Sequence, residues 1–484
     1  MSGDFVPRVD VVSLRGAGRS LETPFCVALA DGGDVVVRRL LRVLPGKRIV
    51  GEGEWDGLRV LVKLFVAAGS KRHWEKEKAG IDALRQAGLL TPELLLAATF
   101  PTGGYAVLTR FLDGAQSLAD AWEPVSALPE GCAAALDVLR PAFQVLGRMH
   151  AAGLVQDDLH LGNFLRYADT LFVIDGDAVR RITPGKPLDE ARAIGNLAIL
   201  LAQLSTEWDA CREALLDAYQ AGGGCRISDM VCLKHELSRV RAWRVSDFLG
   251  KTIRDCTFFA VKRNAFRFSA VLRSDADWLA PLLSSLDEAI FRGKLLKDGR
   301  TSTVAQVEQN GHSLVIKRYN LKNLRHALSR FWRPSRAWHS WREGHRLRFL
   351  GIHSPAPLAL IEERVGPLRG RAFLVNAYCP GIDLLQLLSP DQEPGGDVAQ
   401  AILSLFRKMH GLLISHGDLK ATNLLWHDGH VFVIDLDAVE QHRSPSRHAR
   451  AWRRDRARLL RNWPASSVLY RWLDKNLPAG GELR

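Results

Sequence analysis

Asp158-Leu159-His160-Leu161-Gly162-Asn163, followed by Phe172-Val173-Ile174-Asp175-Gly176-Asp177-Ala178-Val179, decides the reading of this chain because it returns. The second occurrence is Asp418-Leu419-Lys420-Ala421-Thr422-Asn423, then Phe432-Val433-Ile434-Asp435-Leu436-Asp437-Ala438-Val439. Asp158 and Asp418, Asn163 and Asn423, Asp175 and Asp435, and the preceding His150 and His410 are each 260 positions apart. An ungapped correspondence of this length marks an internal repeat.

Upstream of each copy lies an apolar run ending in lysine, Val60-Leu61-Val62-Lys63 and Leu314-Val315-Ile316-Lys317. Each run reads as a β-strand entered through a two-residue turn, Asp56-Gly57 or Asn310-Gly311. Both halves therefore read as hairpin, lysine strand, helix, further strands, and then a helical region carrying the Asp motifs. That order predicts an α+β fold, a small β-rich lobe followed by a larger helical lobe, in each half. Residues 190–220 read as helices closing the first half. Residues 236–290 read as a basic helix, a hairpin around Asn264 and a helix from Asp275, and the division is placed near residue 242, giving domains 1–242 and 243–484.

The 484 residues suffice for two or three domains with their own cores. The longest apolar stretches are broken by Pro92-Glu93 or Gly195-Asn196, so none reaches the roughly 18–20 residues of a membrane span. Met1-Ser2-Gly3-Asp4-Phe5 lacks the basic and apolar blocks of a secretory leader. Seven cysteines without a C-x-x-C pair fit reduced thiols, and a cytoplasmic location is expected. The formal charge of +13 favours an anionic partner: nucleic acid, anionic lipid or a phosphorylated glycan.

Phosphoryl transfer needs cations around the phosphates, carboxylates to hold a metal, and a group to take the acceptor's proton. The repeat supplies them in order. Asp158 and Asp418 are the candidate catalytic residues. Asn163, Asp175, Asn423 and Asp435 are the candidate Mg²⁺ ligands, with Asp177 and Asp437 either assisting them or stabilising the loop. Lys63 and Lys317 are assigned to the nucleotide phosphates, each fixed by a helix glutamate, Glu77 (with Glu75 competing) and Glu343. Gly51 and Gly53 in the first half and Gly299 in the second are assigned to a degenerate phosphate-covering loop. Lys420 is a candidate γ-phosphate contact.

The D-x-x-x-x-N loop, the downstream Asp and the upstream lysine strand resemble the protein-kinase signature set. Lys47-Arg48-Ile49-Val50-Gly51-Glu52-Gly53, Asp158 to Phe164, and Trp341-Arg342-Glu343-Gly344-His345-Arg346-Leu347 more narrowly resemble the bacterial lipopolysaccharide-core kinase family of Kdo and heptose kinases. The resemblance implies two tandem protein-kinase-like domains. It further implies ATP and Mg²⁺ as cofactors and transfer to a sugar hydroxyl, heptose by expectation, of the lipopolysaccharide core or its precursor.

The pattern also departs from that of protein kinases. Gly176-Asp177 and Leu436-Asp437 replace Phe-Gly of D-F-G, and no A-P-E segment follows. The second copy has His416 and Lys420 where the first has Gln156 and His160, so the second is expected to be the better catalyst. The alternatives are a half that serves as an inactive nucleotide- or partner-binding scaffold, or a kinase for proteins or small molecules.

Two basic segments, Lys322 to Arg342 with its tryptophans and Arg447 to Arg461, read either as solvated helix faces or as contacts for anionic inner-membrane lipid or a phosphorylated glycan. Nucleic acid is not expected as a partner, because no nucleic-acid module accompanies them. The oligomeric state is not encoded in any motif.

Overall fold

A computed structural model describes residues 6–30, 33–126, 128, 131–299, 301–320, 334–366 and 368–480. It divides into two compact units, Met1–Arg241 and Ala242–Arg484. Lys322, Arg325, Arg330, Phe331, Trp332 and Arg333 of the first basic segment lie outside the described residues.

In the first unit, α1 (Val11–Gly16) precedes a six-stranded antiparallel sheet of β1 (Phe25–Ala28), β2 (Asp34–Leu44), β3 (Arg48–Trp55), β4 (Leu58–Phe65), β5 (Leu94–Thr99) and β6 (Tyr105–Arg110), in the order β1-β2-β3-β4-β6-β5. The turn between β3 and β4 places Asp56 at φ 49° and Gly57 at φ 71°. Two consecutive left-handed residues are what a tight hairpin with right-twisted strands requires. Strand alternation then sets the lysine's direction. Val60, Val62 and Leu64 enter the core with Val11 and Leu14 of α1. Lys63 faces the other side with Phe65, which packs on Ile81 of α2 (Lys71–Gln86).

Gly51 and Gly53 do not lie in a loop. Both sit inside β3, opposite the two register shifts of β2. A Cβ would come within 2.7 Å of the Arg39 carbonyl oxygen at Gly51 and 2.2 Å of the Val36 carbonyl oxygen at Gly53. Glycine is needed there because bulged strands approach closely. The turn that joins β2 to β3 holds Gly46, at φ 66°.

The second unit carries a seven-stranded antiparallel sheet in the spatial order Phe259–Arg263, Arg267–Leu272, Pro357–Val365, Leu368–Ala377, His312–Tyr319, Ser302–Gln309 and Lys294–Asp298. The hairpin around Asn264 thus belongs to this sheet, its turn closed by Asn264 Oδ1 accepting from the amides of Phe266 and Arg267. One face, with Leu314 and Ile316, packs on helices Ala276–Ser284 and Leu286–Arg292. The opposite face, with Tyr319, packs on Trp338 and Trp341 of helix Arg336–Phe349. Lys317 shares the parity of Tyr319 and projects to that second face. Asn310 at φ 51° and Gly311 at φ 77° repeat the hairpin turn of the first unit, and Gly299 follows the edge strand Lys294–Asp298.

Each unit then continues into a helical lobe with its own core, containing the fully buried Met149 in the first and Met409 in the second. All seven cysteines are free, and no helix among the described residues is long and apolar enough to cross a membrane.

Candidate active sites

The two Asp loops share the bonds that close them. The Asn163 side-chain amide donates to the Asp158 carbonyl at 2.7 Å, and that of Asn423 to the Asp418 carbonyl at 2.9 Å. The Asn163 and Asn423 carbonyls accept from Ile174 N and Ile434 N, at 3.0 Å in both. That bond joins the loop to the end of the strand, Thr170–Val173 or His430–Val433, just before Asp175 or Asp435. Both aspartates stand in the left-handed region, φ 68° and 58°, immediately before a short 3₁₀ turn. Asp and Asn tolerate this region better than most side chains, and the turn re-aims the carboxylate out of the strand.

The sequence difference at Gln156 and His416 disappears in the structure. Gln156 Nε2 donates to the Ile174 carbonyl at 2.9 Å, and His416 Nε2 meets the Ile434 carbonyl at 3.0 Å. Asp418 N donates to His416 Nδ1, which puts the ring proton on Nε2. Burial depresses the His416 pKa, in keeping with a neutral ring.

In the first unit Lys63 Nζ lies 2.6 Å from Glu77 Oε1 and 3.1 Å from Asp175 Oδ1. Glu77 Oε2 accepts from the amide of Asp177 at 3.1 Å, so one buried carboxylate ties β4, α2 and the Asp175 turn together. Glu75 is exposed and pairs with Lys71, which settles the choice of helix glutamate by geometry. Burial acts to lower the Lys63 pKa, but the charges of Glu77 and Asp175 outweigh it and raise the value. Asp175 is the reverse, burial raising and Lys63 lowering, with a net depression. Glu77, Asp175 and Asp177 bring carboxylate oxygens within 4.8 Å of one another. Asp177 itself is held by Arg48 at 2.9 Å.

Close packing supports this arrangement. A Cβ at Gly80 of α2 would lie 1.9 Å from the Gly176 carbonyl oxygen, a backbone atom that cannot swing aside. Gly80→Ala is expected to push α2 off the Asp175 turn and to destabilise the first unit by about 1–3 kcal/mol. Thermal unfolding would show it as a lowered midpoint, and an unchanged midpoint would mean that the contact relaxes freely.

The second unit is wired differently. Lys317 Nζ lies 2.6 Å from Asp435 Oδ1 and 2.9 Å from Asp437 Oδ1. Glu343, assigned to Lys317 from sequence, instead pairs with Arg346 at 2.8 Å. Helix register gives the reason. The left-handed glycines that end the two helices, Gly88 and Gly351, are 263 positions apart, which puts Ser340 in the place of Glu77 and Glu343 one turn beyond it. Ser340 Oγ donates to Asp437 Oδ1 at 2.8 Å, and Tyr319 Oη donates to the same oxygen at 2.6 Å. Burial raises the Asp435 carboxyl pKa, but Lys317 outweighs it and holds the group below its usual range.

Asp158 is exposed, with no side-chain hydrogen bond or ion pair among the described residues. Asp418 is gripped: Lys420 Nζ lies 2.9 Å from Oδ2 and Arg458 Nη1 2.8 Å from Oδ1. Burial opposes its charge, but Lys420 first and Arg458 second keep the carboxyl below the usual range.

Two further residues were not singled out from sequence. Asp455, 2% exposed, accepts the amides of His416 and Gly417. Asn196 performs the corresponding task in the first unit, donating to the Gln156 carbonyl at 2.8 Å and accepting from its amide at 3.3 Å. The available signal was that Asp455 is the one acid between Arg447 and Arg461.

Residues 290–475, which contain Lys317, Asp418, Asn423 and Asp435, match the model of the lipopolysaccharide kinase (Kdo/WaaP) family. The match lies wholly within the second unit. The first unit lies outside the residues matched. Among solved structures, the chain is similar to WaaP in complex with acyl carrier protein, at 20% identity over 42% of this chain and 88% of that one, with a TM-score of 0.34. It is also similar to vaccinia related kinase 3, at 13% identity over 48% of this chain and 87% of that one, with a TM-score of 0.28. No curated protein matches the chain. The second unit has the expected α+β, kinase-like order of sheet, lysine, helix and Asp loop.

Proposed function

We propose that the second unit transfers the γ-phosphoryl group of ATP to a sugar hydroxyl of the lipopolysaccharide inner core, a heptose hydroxyl, at the cytoplasmic side of the inner membrane. The observation that carries this reading is the meeting of Lys317 with Asp435 beside the Asn423–Asp418 loop, within a segment that matches the family.

In this reading Asp418 orients the acceptor hydroxyl and takes its proton as the new P–O bond forms and the bond to ADP breaks. Lys317 contacts the α- and β-phosphates, and the exposed Lys420 meets the γ-phosphate. Asn423 and Asp435 offer only oxygen donors, the set that suits Mg²⁺, and the ammonium of Lys317 against Asp435 marks that carboxylate as one requiring a cation. When bound, Mg²⁺ neutralises charge on the β- and γ-phosphates. The exposed Arg447, Arg450 and Arg453 supply positive charge for anionic lipid headgroups.

The first unit is proposed as a second phosphotransferase, with Asp158 as base, Lys63 and Glu77 at the phosphates, and Asn163 and Asp175 as metal ligands. Its assembled Lys63–Glu77 pair favours this over a scaffold role. Purified protein should release ADP from Mg-ATP when a core glycolipid is added. Release from neither half with any core acceptor would overturn the reading.

The different wiring of the two lysines gives a paired expectation. Glu77→Gln should weaken nucleotide binding by the first unit about tenfold or more, through loss of a charge-assisted bond to Lys63. Glu343→Gln should leave nucleotide binding by the second unit within about threefold, since the Glu343 carboxylate pairs with Arg346 and, among the described residues, makes no bond to Lys317. Nucleotide titration of each variant reads this out, and equal losses would mean that Glu343 reaches Lys317 during turnover.

A further inference from the structure

The arginine-rich helix Pro445–Leu460 does more than solvate one face of the second unit. Asp455 takes the amides of His416 and Gly417, while Arg458 Nη1 donates to the Gly417 carbonyl at 2.7 Å and to Asp418 Oδ1. The helix therefore grips both polarities of the loop that carries Asp418. Next to this grip lies a cavity of about 220 Å³, walled by Gly417, Arg458, Arg454 and Asp455 and by His442 with Ser415. Arg454 and Arg458 stand four residues apart, which places them side by side on one helix face.

The charges at this cavity are unevenly spent. Both carboxylate oxygens of Asp455 accept backbone amides. Glu440 is at the rim, 68% exposed, with its carboxylate 3.6 Å from His442 Nδ1. Ser415 Oγ and His442 Nε2 are bonded to each other at 2.7 Å. Arg454 alone has no hydrogen bond or ion pair among the described residues, although it lines the cavity. The corresponding helix of the first unit, Glu190–Leu201, carries no arginine at the matching positions. Leu200-Leu201 and Leu459-Leu460, with Asn196 and Asp455, fix the register of the two helices, and Gly195 and Ile199 then stand where Arg454 and Arg458 do.

We infer that this cavity is an anion subsite in which Arg454 and Arg458 hold an acidic group of the acceptor, a phosphate or a carboxylate, next to the hydroxyl presented to Asp418. Two adjacent guanidinium forks suit a tetrahedral or planar oxyanion, and Arg458 links the occupant directly to the Asp418 carboxylate. The subsite would make the second unit selective for acidic acceptors and leave the first without that preference. This rests on Asp418 lying at the transfer site.

Calorimetric titration of the full chain with inorganic phosphate and, separately, with acetate tests it, under saturating Mg²⁺ and a non-hydrolysable ATP analogue. Arg454→Leu removes an exposed, unpaired side chain and leaves the fold intact, which a matching unfolding midpoint checks. Affinity for at least one of the two anions should fall about tenfold or more in Arg454→Leu and Arg458→Leu, and Arg454→Lys should recover part of it. The anion affected tells a phosphate from a carboxylate occupant. Unchanged affinities in Arg454→Leu, or loss in Lys317→Met instead, would overturn the subsite. Transfer that ignores Asp418→Asn would sink the catalytic reading while leaving such anion binding in place, so the two failures are distinguishable.

Discussion

Asp418→Asn is expected to lower turnover by the second unit about 10²–10⁴-fold, the range over which a positioned general base acts. The substitution keeps the shape of the side chain and an acceptor for Arg458, but removes the charge that receives the proton. Structural damage should be slight. The Asp418 side chain is 35% exposed and its pair with Lys420 is half-exposed, a setting in which an ion pair contributes at most about 1 kcal/mol. Nucleotide affinity should therefore persist while ADP release with acceptor collapses. Asp158→Asn, made separately, should remove the first unit's share alone. Wild-type turnover in Asp418→Asn with an intact unfolding midpoint would exclude Asp418 as the base.

The largest effect on stability is expected from Lys63→Met. The Lys63 side chain is 12% exposed and that of Glu77 3%. Removing the lysine leaves the carboxylates of Glu77 and Asp175 facing each other without a cation, a change that costs about 3–5 kcal/mol when a buried pair is broken on one side. The pH dependence has a defined sign. Asp175, depressed below 3.8, contributes stability that is present above that value and is lost as pH falls through its lower folded pKa. Lys63, raised above 10.5, contributes stability that is complete below that value and is lost as pH rises through its higher folded pKa. These two groups should thus contribute a constant stability across neutral pH in the wild type. In Lys63→Met it should be weaker at neutral pH and recover partly in acid, as the orphaned carboxylates protonate. A variant as stable as wild type at pH 7 would show that the three charges are not coupled.

The parts that were legible in the sequence are those fixed by local chemistry. Asp-Gly and Asn-Gly turns set the hairpins, alternation aimed Lys63 and Lys317, and the D-x-x-x-x-N spacing produced the same loop bonds twice. What was not legible depends on contacts across the fold. A glutamate displaced by one helical turn keeps nearly the same helix face, so Glu343 looked as suitable as Glu77. Only the helix end at Gly351 shows that Ser340 holds the equivalent place. Gly51 and Gly53 imitate a phosphate loop but answer to a bulge in the neighbouring strand. Gln156 and His416 look unlike each other, yet each supplies one N–H to the corresponding carbonyl of its unit, Ile174 or Ile434, and the first unit is less degenerate than its sequence suggests. Asp455 reaches its loop from far along the chain, a closure that no local pattern announces.

The central claim, that this chain phosphorylates lipopolysaccharide core sugar through Asp418, is tested most directly by mass spectrometry of core oligosaccharide from cells lacking the protein and complemented with wild type or Asp418→Asn. One phosphate should be missing without the protein, return with the wild type, and stay missing with Asp418→Asn. A core of unchanged mass in all three strains would contradict it.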